Sequence, residues 1–359
     1  MKYFKDELAV IFIDSFDFLD YKHKDTFINA YIKTGSLKDA LFSDDVKECI
    51  TNERLLEIES FLSKDYIDNL VEVLDKNGVT AITKFSDSYP VSLNTIYSPP
   101  HILYAKGNLD LLSSKQILAI VGSRKSLPTS KAIGVNYAKT LTDAGMVIVT
   151  GIAEGVEEEI LKATYNSGKV ISVTAGGLDM VYPKQNAKLF SAVAENGLCL
   201  SEQRMGFKPM PYHYPFRNRL IAGLSKGVLV ISAGLKSGTM HTVSYALDGG
   251  KDIFAIPYNV GVSCGEGCNA LIKAGAYLTD KPEDIADFYG LKIINDLPDM
   301  TDDERFVYDA IKDAGSIHVD ELCEKVNIPT EKLVTKLLML ELKGLIVKNA
   351  GNYYSCIKN

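Results

Sequence analysis

Four short stretches carry cationic or hydroxyl side chains in the manner of anion-binding segments, three of them together with glycine. Ile120-Val-Gly-Ser-Arg124 is an apolar run ending in glycine. A ligand can approach the backbone at Gly122, while Ser123 adds a hydroxyl and Arg124 a bidentate guanidinium. The G-x-G-x-x-G spacing of a dinucleotide fingerprint is absent, and a strand-end arginine can equally pair with an acid. In Thr174-Ala-Gly-Gly-Leu-Asp-Met-Val-Tyr-Pro-Lys184, Gly176 and Gly177 follow another strand and Lys184 and Lys188 lie beyond it; the alternative is a tight turn with solvated lysines. In the segment from His213 to Arg219, Arg217 and Arg219 flank Asn218 among Tyr212, Tyr214 and Phe216. Bases stack on such rings while guanidinium groups hold phosphates, unless the arginines pair with acids such as Glu202. Lastly, Lys236, Ser237 and Gly238 precede a helix whose first N–H groups form an anion nest.

A fifth stretch, Val149-Thr-Gly-Ile-Ala-Glu-Gly-Val-Glu-Glu-Glu-Ile160, has the same strand–glycine–helix form but carries Glu154, Glu157, Glu158 and Glu159 at the helix start. Carboxylates there favour the helix through its dipole and repel an incoming phosphate, so a self-capped structural turn is expected. No serine or cysteine shows a nucleophile arrangement, paired carboxylates do not stand out, and His241 alone is not a general base. Binding is expected rather than catalysis, with no cofactor.

The elements that position these loops are legible from periodicity. Apolar runs at 102–105, 117–121, 146–149, 170–174, 198–200, 227–231 and 252–256 read as strands, with helical stretches such as 130–144 and 187–195 between most of them. Repeated strand–helix units with continuous apolar strands predict a parallel sheet covered on both faces. Residues 1–85 read as a small helical module, in which Leu56, Ile58, Phe61 and Leu62 recur at helical spacing, as do Tyr66, Leu70, Val73 and Leu74. From Thr301, three helices and a hairpin turning at Asn349–Asn352 follow the winged-helix plan, with Leu333, Leu337, Leu340 and Leu342 facing inward. The expected division is 1–85, 86–290 and 299–359.

The composition is that of a globular protein, with 46% apolar and 24% charged residues and a net charge of −7. The acidity lies at the ends: residues 1–100 carry 11 Lys and Arg against 18 Asp and Glu, 101–298 carry 20 against 17, and 299–359 carry 8 against 11. A locally basic groove is therefore compatible with an acidic chain. No apolar run spans a bilayer and the N-terminus lacks a secretory pattern, so a cytoplasmic location without membrane contact is expected. The six cysteines are scattered; Cys264 and Cys268 are close but have no neighbours to complete a metal site, and reduced thiols are expected.

Taken together, Ser98-Pro-Pro-His-Ile-Leu-Tyr-Ala-Lys-Gly107, Ile120–Arg124, Gly176–Asn186, Leu200-Ser-Glu202, Phe216–Ser225, Lys236–Thr239, Ile253–Pro257 and Gly267–Ala276 resemble the DprA (Smf) family of DNA-processing proteins. The resemblance implies an extended Rossmann-like core that binds single-stranded DNA, forms homodimers and loads a RecA-type recombinase in natural transformation. It assigns Gly122, Ser123, Arg124, Lys184, Arg217, Asn218, Arg219, Lys236, Ser237 and Gly238 to the DNA groove, and Asn269, Ile272 and Leu278 to the dimer surface. Departures from the family pattern are Glu154 at a basic position, Glu157 at an aspartate, Ser232 at a glutamate, Tyr258 at a glycine and a missing histidine after Glu159. An alternative is a nucleotide-binding or N-glycosidase protein of the lysine-decarboxylase-like superfamily, whose catalytic glutamate is replaced here by Thr242. A further alternative is a diverged paralogue that acts through protein contacts.

Overall fold

The computed structural model describes residues 2–293 and 300–357. The expected start of the winged-helix segment at 299 and its last two residues lie outside them. The chain forms two compact units, residues 1–293 and 294–359.

Unit 1 is built on a nine-stranded sheet in the order β1-β2-β6-β5-β4-β3-β7-β8-β9. Its strands are β1 (Thr80–Thr83), β2 (Ile102–Gly107), β3 (Ile117–Gly122), β4 (Val147–Thr150), β5 (Val170–Val173), β6 (Leu198–Ser201), β7 (Gly227–Ser232), β8 (Asp252–Ala255) and β9 (Tyr277–Leu278). Strands β3 to β9 are parallel, and β2 and β1 add antiparallel at one end. Side chains alternate between faces as a pleated strand requires: Leu118 and Ile120 enter one core, and Ile117, Ala119 and Val121 the other. The first core takes α7 (Pro128–Asp143), α8 (Val156–Thr164) and α9 (Ala187–Asn196); the second takes α10 (His213–Leu224), α11 (Thr239–Asp248) and α12 (Glu266–Lys273). Helix α13 (Pro282–Phe288) ends the segment.

The first 76 residues form six helices, α1 (Lys5–Asp14), α2 (Tyr21–Thr34), α3 (Leu37–Leu41), α4 (Asp44–Cys49), α5 (Asn52–Ser60) and α6 (Lys64–Lys76). They share one core with the sheet rather than standing apart, and β1 lies inside the stretch read as wholly helical. The buried Asp14 carboxylate accepts from Tyr104 of β2 at 2.7 Å and from Lys24 of α2 at 2.7 Å. The outward N–H groups of β1 are taken by side chains: Ala81 donates to the Tyr3 hydroxyl at 3.0 Å and Thr83 to Ser86 Oγ at 2.9 Å. The expected inward pattern over 56–62 is interrupted. Ser63 caps α6 by accepting from Tyr66 N–H, so α5 stops at Ser60 and Leu56 and Phe61 are exposed.

Unit 2 consists of α14 (Asp302–Ala314), β10 (Ile317–His318), α15 (Val319–Val326), α16 (Thr330–Leu342), β11 (Ile346–Asn349) and β12 (Tyr353–Cys356). Its sheet runs β10-β12-β11 around a separate core. Leu333, Leu337 and Leu340 are buried, but Leu342 is 75% exposed: five residues beyond Leu337 the helix has turned it outward. Thr301 and Glu304 form a reciprocal capping box at the start of α14, and Lys343 binds Glu304 at 2.8 Å. Thr301→Ala is expected to lower the stability of unit 2 by about 1 kcal/mol. Urea unfolding of the full chain, read by hydrogen exchange in α14, measures it; unchanged protection there would exclude the cap as a stabilising element.

Candidate nucleic-acid interface

Open parallel sheets leave a crevice beyond the carboxyl ends of their strands where the connections diverge. Here β4 lies on one side of β3 and β7 on the other, and a cavity of about 460 Å³ sits at that point. The loop after β3 contributes Gly122, Ser123 and Arg124, the start of α11 contributes Ser237 and Gly238, and α10 contributes Arg217 and Asn218. Seven of the ten residues assigned to the groove therefore converge on one cavity.

The loop after β3 is held from both sides. Ser123 N–H donates to the Ser232 carbonyl at 2.9 Å and to Ser232 Oγ at 3.1 Å, so the serine that departs from the family pattern fastens this loop to β7. On the other side lies the acidic glycine loop. Gly155 has φ +100°, and a Cβ there would stand 2.7 Å from the carbonyl oxygens of Ser123 and Arg124. Val156 fills the space that a Cβ at Gly122 would need, at 2.7 Å. The fifth stretch is thus a buttress for Arg124 rather than a second phosphate loop.

Its carboxylates have separate partners. Glu158 and Glu159 bind Lys162 at 2.7 and 3.2 Å, and Glu154 Oε1 accepts from the Gln185 side-chain amide. Glu157 is buried and lines the cavity, accepting from Ala153 N–H at 3.2 Å. The expected self-capping is met in part: Glu157 takes a loop N–H, but the Gly155 cap position has no side-chain cap. The Glu157 and Arg217 head groups crowd the same point above Gly151, where a Cβ would meet Glu157 Oε2 at 2.3 Å and both Arg217 Nη atoms at 2.7 Å. Burial raises the Glu157 carboxyl above its usual range, opposed by Arg217, and burial lowers Arg217, opposed by Glu157. Arg217 also donates to the Val173 carbonyl, and through Nε to Asn218 Oδ1 at 3.1 Å. It is a fixed charge in the cavity wall.

Arg124 is exposed, with its guanidinium carbon 5.4 Å from the centre of the Tyr214 ring. Tyr214 meets Tyr182 edge-on at 6.1 Å, and Tyr182 is 60% exposed. Arg124, Pro211 and Tyr214 also line a wider depression of about 880 Å³, together with Lys184 and Lys208. The two hollows make one basic, ring-lined groove. Tyr182 and Lys208 were not singled out from sequence; the signals were the Tyr182-Pro-Lys184 spelling at the end of the second stretch and the proline-broken segment Phe207–Pro211 leading into α10.

Two assigned residues do not reach this groove. Arg219 is fully buried, bound through Nη2 to both oxygens of Glu202 at 2.6 and 2.7 Å, with its guanidinium 4.0 Å from the Phe216 ring centre. Residues two apart on an α-helix point about 200° apart, so Arg217 and Arg219 cannot face one ligand. Lys236 is exposed on the loop before α11 but does not line the cavity. Thr242, where the hydrolase alternative needs a glutamate, does line it and offers a hydroxyl. Among the described residues, no cluster of three side chains could hold a metal, and no helix is long and apolar enough to cross a membrane.

Residues 80–290 match the family described as DNA recombination-mediator protein A, and residues 295–352 match the DprA winged helix domain. The chain belongs to the DprA/Smf family. It is 34% identical to Protein Smf of Escherichia coli over 318 residues, covering 84% of this chain and 85% of that protein. It is 36% identical to DNA processing protein DprA of Bacillus subtilis, covering 64% of this chain and 77% of that one. The X-ray structure of DprA from Streptococcus pneumoniae superposes with a TM-score of 0.68 at 30% identity, covering 79% of this chain and 98% of that chain. The structure of DprA from Helicobacter pylori, described for its single-stranded DNA binding mode, gives 0.54 at 31% identity, covering 59% and 95%. The DprA fold thus accounts for the extended parallel sheet and the C-terminal winged helix alike.

Arg219→Ala removes a fully buried guanidinium and leaves the half-buried Glu202 carboxylate without its counter-charge, a change that destabilises by roughly 3 kcal/mol. A drop in thermal unfolding temperature is expected; a variant as stable as the parent would show that the pair does not support the core.

Proposed function

We propose that this protein binds single-stranded DNA along the groove between Gly122 and Lys184 and delivers it to a RecA-type recombinase. The observation that carries the reading is the guanidinium of Arg124 lying over Tyr214, beside Tyr182 and within reach of the cavity formed by the β3 loop and the start of α11. Cations and π-faces in one track suit a strand whose phosphates and bases alternate, and stacking is tolerant of sequence. Gly122, Ser123, Asn218, Ser237 and Gly238 supply polar contacts, Arg217 a fixed charge, and Lys184 with Lys208 further cations. Membership of a recombination-mediator family supports the recombinase as partner. The cavity's one lining carboxylate, Glu157, faces Arg217, and Thr242 is a hydroxyl, which together favour binding over hydrolysis.

We further propose a homodimer through the β9 edge. Leu278 and Tyr277 are 52% and 49% exposed on a terminal strand, and Ile272 lies half-buried on neighbouring α12. Asn269 serves a different end: its amide accepts from Tyr258 N–H at 3.0 Å and donates to the Tyr258 carbonyl at 2.9 Å, so it braces the subunit from within.

Arg124→Ala is expected to weaken oligo-dT binding at least tenfold, to flatten the salt dependence by about one phosphate contact, and to abolish stimulation of recombinase binding to DNA coated with single-strand-binding protein. Unchanged affinity in a fluorescence anisotropy titration would sink the groove. Leu278→Asp is expected to convert a dimer to a monomer by light scattering; a parent protein that is already monomeric at micromolar concentration would refute the β9 contact.

A further inference from the structure

The groove has one feature that a sequence-blind strand binder does not need. Glu154, Arg124, Tyr182 and Tyr214 enclose a small notch of about 80 Å³ where the two hollows meet. A bare carboxylate beside the principal phosphate-binding cation opposes phosphate binding. Yet this one is held in place: Gln185 donates its amide to Glu154 Oε1. Because a carboxylate only accepts, the nitrogen of the Gln185 amide must face it. The base of the Glu154 loop is fixed too, since the Asn186 amide donates to the Ile152 carbonyl at 3.0 Å. A carboxylate has about four lone-pair sites, and Gln185 occupies one of them. The remaining acceptors are open to a ligand in the notch that Glu154 lines together with Tyr182 and Tyr214.

We propose that Glu154 reads a base in the strand and that the base preferred is guanine; the proposal rests on the groove reading above. A paired set of acceptors matches only an edge that offers two adjacent donors. Guanine has one, its N1–H beside its exocyclic N2 amine. Thymine presents a single N–H between two carbonyl oxygens. Cytosine and adenine each present one amine beside a ring-nitrogen acceptor, which a carboxylate repels. Glu154 is thus a specificity-determining residue, one that weakens binding of thymine-rich strands and strengthens binding of strands that can place guanine in the notch.

The test compares three oligonucleotides of equal length by fluorescence anisotropy in lithium buffer, which suppresses guanine self-association: oligo-dT, alternating thymine–guanine, and alternating thymine–inosine, in which the N2 amine is missing. The full-length parent is expected to bind the guanine strand about tenfold more tightly than oligo-dT, the discrimination a bidentate base contact gives. Inosine is expected to lose most of that gain. Glu154→Ala, at an exposed side chain, is expected to erase the preference and to raise oligo-dT affinity, since it removes a carboxylate from beside Arg124. Glu154→Gln, with one acceptor exchanged for a donor, is expected to erase it as well. Equal affinity of the parent for guanine and thymine strands, or a preference that survives in Glu154→Ala, would overturn the proposal and leave the groove intact. Loss of single-stranded binding altogether in the parent would instead overturn the groove reading itself.

Discussion

Everything at the groove depends on the close contact between two loops, the Gly122–Arg124 turn after β3 and the Gly151–Val156 turn after β4. Gly155 brings backbone against backbone, and Val156 takes the volume that a side chain at Gly122 would fill. Neither arrangement tolerates a Cβ, so both glycines are set by the neighbouring chain rather than by a ligand. The contact fixes where Arg124 leaves the sheet. The stack on Tyr214, the notch beside Glu154 and the junction of the two hollows all follow from that exit point. The loop that most resembled a phosphate site is therefore the support of one.

Electrostatics explains how an acidic chain keeps a cationic groove. Of the four glutamates of that support, Glu158 and Glu159 are paired with Lys162 and Glu157 shares the space above Gly151 with Arg217, so that Glu154 alone, bound to the neutral Gln185 amide, stands at the notch beside Arg124. Arg217 is deeply desolvated, and Glu157 opposes the cost of burying its charge. The exposed charges of the groove include those of Arg124, Lys125, Lys184 and Lys208, which lie where water reaches them and where counterion release on binding is greatest.

Much of this was legible in the residues. Strands β3 to β8 are short apolar runs bounded by glycine or polar residues, and the winged-helix elements carry their own caps, of which Thr301 is the clearest. Strand β9 is only two residues long, too short to have a period, and β1 follows a helical stretch directly, so both were read through. The division of the two α10 arginines was readable in principle from helix geometry, but the repeated Arg-x-Arg spelling suggested a common task. What spacing cannot convey is which partner an acid will find. Glu202, Glu154 and Glu157 look alike in sequence, yet one balances a buried guanidinium, one lines a notch and one sits desolvated in the cavity wall.

The two ends of the large sheet are treated differently. At β1, the outward N–H groups of Ala81 and Thr83 are already bound to Tyr3 and Ser86, so that border offers no donors to a further strand. At β9, Tyr277 and Leu278 remain uncovered. An assembly that grows along the sheet has a single open end to grow from. Two copies joined there as proposed would present sealed borders on both sides, and a pair closed in that way would not add copies without limit into a fibre.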